Sequence, residues 1–254
     1  MRHIPRKRFG QNFLVDSQVV HNILQAILPL KNDTLVEIGP GLGALTKSLL
    51  YSLNHLHVIE IDRDIIKRLK QEHSVKKLTV HSFDALKFDF FTLGSNLRVV
   101  GNLPYNISTP ILFHLIKFSK SICDMHFMLQ KEVVERMVAM PSTSSYGRLS
   151  VMLQCHFEME QLFVVQPESF FPVPKIQSAI VRMIPLNQKM IDEDREVIFS
   201  AIVAAAFSQR RKTISNTLHG YLTPEDFTTL GINPGLRAEN LSVSQFVAIA
   251  KFLI

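Results

Sequence analysis

An amide, a proline and a tyrosine follow an apolar segment in the middle of the chain. The segment Val99-Val100-Gly101-Asn102-Leu103-Pro104-Tyr105 predicts a buried strand that ends in a short polar tetrapeptide, residues 102–105. Such a strand end can place a carboxamide oxygen, a backbone carbonyl and an aromatic face around one small volume. These groups suit a planar aromatic amine, because the oxygens accept hydrogen bonds from its amino group while the Tyr105 ring stacks on its plane. The tetrapeptide alone is equally compatible with a simple turn.

Glycines and acids upstream predict a nucleotide-like ligand at the same edge. Gly39 and Gly41 follow the predicted strand 34–38 and precede a helix, so the backbone can turn sharply and approach a ligand closely. Glu60 ends the second strand, 21 positions beyond Gly39, where a carboxylate can accept hydrogen bonds from both ribose hydroxyls. Asp84 follows the third strand and can accept from an adenine amino group. This set fits either NAD or S-adenosylmethionine.

Strands and helices alternate through the first part of the chain. The predicted strands are Thr34–Ile38, His57–Glu60, Leu78–His81, Leu97–Val100 and Cys123–Leu129. Their alternation with helices predicts an α/β fold with a parallel sheet and helices on both faces. A helix with Ser17 as its N-cap precedes them and extends to Leu28.

After Pro185 the sequence predicts helices alone. They cover Arg195–Phe207, Arg211–Leu218, Pro224–Leu230 and Ser242–Phe252. We therefore expect two domains, an α/β domain over residues 1–186 and a small all-α domain over residues 187–254.

Composition restricts the class of protein. The chain contains no apolar run of 18 residues, which argues against a membrane span. Cys123 and Cys155 belong to no CxxC pair, which argues against a disulfide framework or a structural zinc site and fits a reducing cytoplasm.

The basic residues are unevenly distributed. The formal net charge is +6, and residues 187–254 carry seven basic and seven acidic side chains, so the whole excess lies in the first part. Two local clusters stand out, namely Arg2, Arg6, Lys7 and Arg8, and Arg210, Arg211 and Lys212. Basic runs of this length are often only solvated surface, but they also suit contacts to a polyanion such as RNA.

Longer motifs give a family resemblance. The glycine-rich turn, Glu60, Asp84 and the tetrapeptide follow one another in an order that resembles the class I S-adenosylmethionine-dependent methyltransferases that act on exocyclic amino groups. In those enzymes the tetrapeptide has the motif (D/N)-P-P-Y, from which this chain departs at Leu103. Five segments resemble signatures of the ribosomal RNA adenine dimethyltransferases, namely residues 6–14, 101–108, 170–175 with Ser178, 207–212 and 237–242. The resemblance covers essentially the whole chain and is closest to the bacterial small-subunit enzymes. Val173 replaces a proline of many relatives.

The resemblance implies a site, a methyl donor and a substrate. Contacts to S-adenosylmethionine fall on Asn12, Leu14, Gly39, Glu60, Asp84 and Asn102, and no metal is expected. The target base would be held by Asn102, Leu103, Tyr105 and Phe170. The implied fold is a Rossmann-like class I methyltransferase sheet, with the helical domain serving RNA or ribosome recognition. The implied reaction dimethylates N6 of two adjacent adenosines, in a hairpin loop near the 3′ end of small-subunit ribosomal RNA, within an immature subunit. We expect a cytoplasmic monomer without membrane contact.

Three other functions stay open at this point. A methyltransferase of the macrolide-resistance type shares the tetrapeptide but acts on large-subunit RNA, although residues 210–212 and 237–240 favour the small subunit. A ribosome-assembly factor with secondary catalysis predicts that Asn102→Ala would still bind subunits and leave assembly intact. A NAD oxidoreductase would need a hydride-accepting partner and usually a proton donor after the fourth strand, where this chain has the tetrapeptide.

Overall fold

A computed structural model of the chain describes residues 12–253. Arg6, Lys7 and Arg8 therefore lie outside the described residues. The strands are β1 (Phe13–Leu14), β2 (Thr34–Ile38), β3 (Leu56–Glu60), β4 (Leu78–Ser82), β5 (Leu97–Asn102), β6 (Ile122–Gln130), β7 (Phe157–Val165), β8 (Phe170–Phe171) and β9 (Ser178–Pro185). The helices are α1 (Ser17–Ile27), α2 (Ala44–Ser52), α3 (Arg63–Glu72), α4 (Ser108–Ile116), α5 (Lys131–Met137), α6 (Arg148–Gln154), α7 (Glu196–Ala206), α8 (Ile214–Thr217), α9 (Pro224–Thr229) and α10 (Val243–Phe252).

One seven-stranded sheet positions the predicted site. Its strand order is β4-β3-β2-β5-β6-β9-β7. The pairs from β4 to β6 are parallel, whereas β9 runs antiparallel to β6. The strand order reverses direction beside β2, since β3 and β4 lie on one side of it and β5 and β6 on the other. Ligands in open parallel sheets bind at the carboxyl ends of the strands beside such a reversal, which is where the glycine turn and the tetrapeptide lie.

Apolar burial explains why these segments form the centre of the sheet. Leu35 and Val36 of β2 and Val99 and Val100 of β5 are completely shielded from solvent. Strands buried on both faces need continuous apolar runs rather than alternation, and this pattern is what the sequence contains.

The described residues divide into two compact units. One unit contains the residues up to Val134 together with Glu160–Pro185, and the other contains Glu135–Met159 together with the residues from Leu186 onward. The chain passes from one unit to the other after Val134, Met159 and Pro185. The single boundary expected near residue 186 corresponds only to the last of these, because α6 and the loop before it group with the C-terminal helices. Within that second unit α7 packs against α6 and α10.

Two local predictions were wrong. The N-cap of α1 is Asp16 rather than Ser17, because the Asp16 carboxylate accepts from the amides of Gln18 and Val19 at 2.9 and 3.2 Å. The helix predicted from Arg211 to Leu218 is limited to α8, since Thr213 has extended backbone and forms a bridge with Arg237.

No helix among residues 12–253 is long and apolar enough to cross a lipid bilayer.

Candidate active site

All the residues predicted to hold the methyl donor and the target base line one cavity. The cavity has a volume of about 360 Å³ and lies at the carboxyl ends of β2, β3 and β5. The predicted residues that line it are Asn12, Leu14, Gly39, Glu60, Asp84, Asn102, Leu103, Tyr105 and Phe170. Residues far apart in sequence thus meet at one place, as the parallel topology requires.

The glycine-rich turn uses backbone conformations that other residues rarely adopt. Gly39 has φ +67° and Gly41 has φ +55°, both in the left-handed region that favours glycine. A methyl group at Gly41 would lie 3.1 Å from the Phe13 ring. The turn therefore needs glycine both for its conformation and for the close approach of β1.

Gly101 allows β5 and β2 to approach each other beside the cavity. A Cβ atom built on Gly101 would lie 2.5 Å from the backbone oxygen of Ile38, a separation that packed atoms do not tolerate. Because Gly101 has no side chain, Asn102 lies beside the glycine-rich turn. The Asn102 carbonyl oxygen is 4.0 Å from a Cβ atom built on Gly39.

The Asn102 side chain has a defined orientation. Its Nδ2 donates to the backbone carbonyl of Asn12 at 3.1 Å. A flipped amide would set two acceptors against each other, so this contact determines which end of the amide is nitrogen. The carboxamide oxygen is then the end that can accept from an amino group in the cavity.

The rest of the tetrapeptide is fixed from both sides. The Leu103 amide donates to the Met128 carbonyl in β6 at 3.1 Å. The Pro104 carbonyl accepts from the Ile107 amide and the Ser108 hydroxyl, each at 3.1 Å. These bonds hold the peptide groups beside the cavity in one arrangement.

Short strands far apart in sequence close one wall of the cavity. In β1 and β8, Phe13 pairs with Phe171 and Leu14 pairs with Phe170 in antiparallel register. The Ser169 hydroxyl also donates to Asp16 at 3.0 Å. The buried Phe170 ring, which is 2% exposed, is held in the wall by this pairing.

Two buried carboxyl groups give the cavity an unusual electrostatic character. Burial, with a smaller contribution from the nearby Glu60 charge, raises the pKa of Glu37 to about 7, although the Thr46 hydroxyl donates to it at 2.7 Å. Burial also raises the pKa of Glu60, against the effect of the Ile61 and Asp62 amides that donate to it at 2.8 and 2.9 Å. A carboxylate offers about four acceptor positions, so Glu60 keeps acceptor capacity toward a ligand.

Asp84 lies at a different wall of the cavity. Its Oδ1 accepts from the Leu86 amide at 3.0 Å and so caps a short turn. Phe83, Ala85 and Leu86 provide apolar surface beside it, which suits the edge and faces of a planar base.

These walls fit S-adenosylmethionine. The glycine turn leaves room against the backbone, two carboxyl groups at strand ends offer acceptors for hydroxyl and amino groups, and apolar side chains line the space near Asp84. Among residues 12–253, no cluster of three or more His, Cys, Asp or Glu side chains is arranged to hold a metal ion.

Two residues that line this cavity, Glu37 and Phe13, and one that contacts a lining residue, Ser178, were not assigned a role from the sequence. Glu37 was visible as the acid before the glycine-rich turn, Phe13 as an aromatic residue beside Asn12, and Ser178 as a residue shortly after the signature segment 170–175. Only the packing reveals that Ser178 bonds to Tyr105, since 73 positions separate them.

The basic residues Arg210, Arg211 and Lys212 are exposed and lie between α7 and α8 in the second unit. Arg210 donates to Glu239 at 3.2 Å and to the Ser144 carbonyl at 3.1 Å. These bonds hold part of the cluster in place within its own unit.

Known proteins resemble the chain over nearly its whole length. Residues 2–254 match the family model described as ribosomal RNA adenine dimethylase. The chain is 67% identical over 252 residues to "Ribosomal RNA small subunit methyltransferase A" of Nitrosospira multiformis, covering 99% of this chain and 97% of that protein. It is 60% identical over 251 residues to the protein of the same name from Thiobacillus denitrificans, covering 99% and 98%.

Solved structures agree with the fold. A dimethyladenosine transferase from Plasmodium falciparum superposes with a TM-score of 0.80 at 26% identity, covering 93% of this chain and 95% of that one. The 23S rRNA methyltransferase ErmE shares the fold, with a TM-score of 0.73 at 24% identity over 95% of this chain and 99% of its own. The predicted α/β methyltransferase fold is thereby confirmed. The chain belongs to the ribosomal RNA adenine dimethylase family.

Proposed function

We propose that this chain transfers methyl groups from S-adenosylmethionine to N6 of two adjacent adenosines in small-subunit ribosomal RNA. The target is a hairpin loop near the 3′ end of that RNA, in an immature small subunit. The observation that carries the proposal is the fixed Asn102 amide beside the glycine turn, because it combines an acceptor for an amino group with a nucleotide-sized cavity. The names of the relatives at 60–67% identity support the small subunit as substrate.

The methyl donor would occupy the part of the cavity beside the glycine turn. Glu60 would accept from its ribose hydroxyls and Asp84 from its adenine amino group, while Asn12, Leu14 and Gly39 would contact the remainder. When bound, S-adenosylmethionine supplies a methyl group on a positively charged sulfur that leaves as a neutral thioether. Glu37 and Glu60 line the same cavity, where a bound positive charge would favour the ionised form of these carboxyl groups.

The tetrapeptide would act on the adenine amino group. Its nitrogen is a weak nucleophile because the lone pair is delocalised into the purine ring. Hydrogen bonds to the Asn102 oxygen and the Leu103 carbonyl favour a tetrahedral nitrogen, which localises the lone pair and aims it into the cavity. After the new N–C bond forms, the ammonium loses its proton to water, so no general base is required.

Aromatic rings would hold the base during transfer. Tyr105 would stack on one face and Phe170 on the other, and each stacked base contributes roughly 1–3 kcal/mol. The adenosine must leave its stack to enter the cavity, which costs a few kcal/mol. An unpaired hairpin loop lowers that cost.

Phosphate contacts would position the RNA. Arg210, Arg211 and Lys212 are exposed in the helical unit, and Arg6, Lys7 and Arg8 precede the cavity residue Asn12 in sequence. Such contacts raise affinity without reading sequence. We assign the first unit to cofactor binding and catalysis and the second to RNA recognition, and we place the enzyme in the cytoplasm as a monomer.

The choice of subunit tests the proposal. Purified protein, labelled S-adenosylmethionine and ribosomal subunits that lack the modification are mixed, with small and large subunits in separate reactions. We expect label in small-subunit RNA alone. Label in large-subunit RNA alone would instead assign the chain to the resistance type. Tight binding of small subunits without any transfer would favour an assembly factor.

A further inference from the structure

A buried hydroxyl on β9 contacts the tyrosine of the tetrapeptide. Ser178 is the first residue of β9 and is 1% exposed. Its Oγ lies 3.1 Å from the Tyr105 hydroxyl, at hydrogen-bonding distance. The strand beneath it is well defined, because Ser178 pairs with Gln130 of β6. The hydroxyl of Tyr105, which lies in a turn, is therefore in contact with a residue of the regular strand β9.

The Tyr105 ring needs such a contact to hold a defined plane. Tyr105 lies between β5 and α4, outside regular structure, and two side-chain dihedral angles set the direction of its ring. Backbone bonds hold the neighbouring Pro104 carbonyl, but they do not set these two angles. The hydroxyl at the far end of the ring provides the second fixed point.

The chemistry of the contact favours a hydroxyl at position 178. Buried polar atoms are nearly always hydrogen-bonded, and an unpaired one costs free energy. Alanine at this position would leave the Tyr105 phenol without this partner, and the ring would turn toward another acceptor or toward solvent. The Ser178 hydroxyl thus selects one orientation of the ring.

We propose that Ser178 is a positioning residue for methyl transfer, which acts by holding the Tyr105 ring in the plane on which the target adenine stacks. This inference rests on the proposed function and extends it to a residue that does not line the cavity. Because the effect passes through the ring of Tyr105, loss of either hydroxyl should have the same consequence. The methyl donor should bind as before, since its walls are formed by other residues.

Kinetics of three variants test the coupling. We expect Ser178→Ala and Tyr105→Phe each to lower kcat about tenfold, the factor for one lost hydrogen bond of ordinary strength, with a smaller change in KM for small subunits. The double variant should be no slower than either single variant, because both remove the same contact. Ser178→Thr should restore most of kcat, since it restores the hydroxyl. Additive losses, or no rescue by threonine, would overturn the proposal.

A spectroscopic measurement tests the contact without the reaction. The chain has four tyrosines, so labelling the tyrosine Cζ atoms yields a simple carbon spectrum, in which Tyr105→Phe identifies the Tyr105 signal. We expect Ser178→Ala to shift that signal alone, whereas Ser121→Ala should not move it. Ser121 is a matched control, because it is a buried serine at the opposite end of β6.

The outcomes separate this inference from the proposed function. An unmoved Tyr105 signal in Ser178→Ala would overturn the inference even if the wild type methylates small subunits at full rate. A wild type that binds S-adenosylmethionine but methylates no small subunit would refute the proposed function, and with it the role of Ser178 in transfer. In that case a shifted signal would still establish the contact.

Discussion

Gly101→Ala should damage the cavity by pushing two strands apart. The new Cβ atom would lie 2.5 Å from the Ile38 carbonyl oxygen, whereas Cβ atoms in proteins essentially never lie within 3.0 Å of such an atom. The two atoms must therefore move apart by at least about 0.5 Å. The obstacle is backbone, so the ends of β2 and β5 must separate. Overpacking of this kind costs about 1–3 kcal/mol, and a change of 2 kcal/mol lowers Tm by about 4–8 °C in a chain of this length.

The same displacement should affect catalysis more strongly than stability. Asn102 is the next residue, and a misplacement of about 1 Å can lower a rate about a hundredfold. We therefore expect kcat for small subunits to fall by about ten- to a hundredfold at a temperature where the variant remains folded. Thermal unfolding and a methyl-transfer assay measure the two effects.

Gly220→Ala is the matched control. Nothing lies within 4 Å of a Cβ atom built on Gly220, so this change should leave both Tm and kcat near the wild-type values. If Gly101→Ala matched the control in Tm and in kcat, the close approach of β2 and β5 would not be what places Asn102.

Three other substitutions have defined consequences. The pKa of the buried Glu37 is raised from 4.5 to about 7, so the stability that the protonated group contributes is present below pH 4.5 and is lost as the pH rises to 7. Between these pH values the free energy of unfolding of Glu37→Gln should therefore rise by about 3 kcal/mol relative to that of wild type. If urea unfolding gave the two proteins the same pH dependence of this free energy, the expectation would be contradicted. Arg98→Ala should lower the free energy of unfolding by about 3 kcal/mol, because Arg98 forms salt bridges with Asp33 and Asp124, each at 2.7 Å. Calorimetry should find an unchanged affinity for S-adenosylmethionine, since these salt bridges lie at the end of β5 opposite to Asn102 and the cavity. Glu60→Gln should weaken that affinity about ten- to a hundredfold, because a charged acceptor for the ribose is lost, and equal affinity would remove Glu60 from the proposed donor contacts.

The central sheet could be predicted because its strands carry local signals. The predicted strands at Thr34–Ile38 and Leu97–Val100 agree with β2 and β5 to within two residues. Their continuous apolar runs are typical of strands buried on both faces. Gly39, Glu60, Asp84 and Asn102 followed from the same signals, since parallel strands bring their carboxyl ends to one edge. Asn12, Leu14 and Phe170 were expected only from the family resemblance.

Contacts between distant segments could not be predicted in the same way. The pairing of β1 with β8 joins residues more than 150 positions apart through two residues each, which is too short to leave a pattern in sequence. The bond between Tyr105 and Ser178 and the grouping of Glu135–Met159 with the C-terminal helices likewise depend on tertiary packing. The Asp16 cap was missed because Ser17 beside it is an equally good capping residue by type.

The most direct test of the account combines the reaction with the residue at its centre. Small subunits that lack the modification are incubated with S-adenosylmethionine and either wild type or Asn102→Ala, and their RNA is digested and analysed for modified nucleosides by mass spectrometry. We predict N6,N6-dimethyladenosine at two adjacent positions with wild type, and at least a hundredfold less with Asn102→Ala at equal affinity for small subunits. Equal amounts of dimethyladenosine from the two proteins would contradict the role of the tetrapeptide, and its absence from both would contradict the proposed reaction.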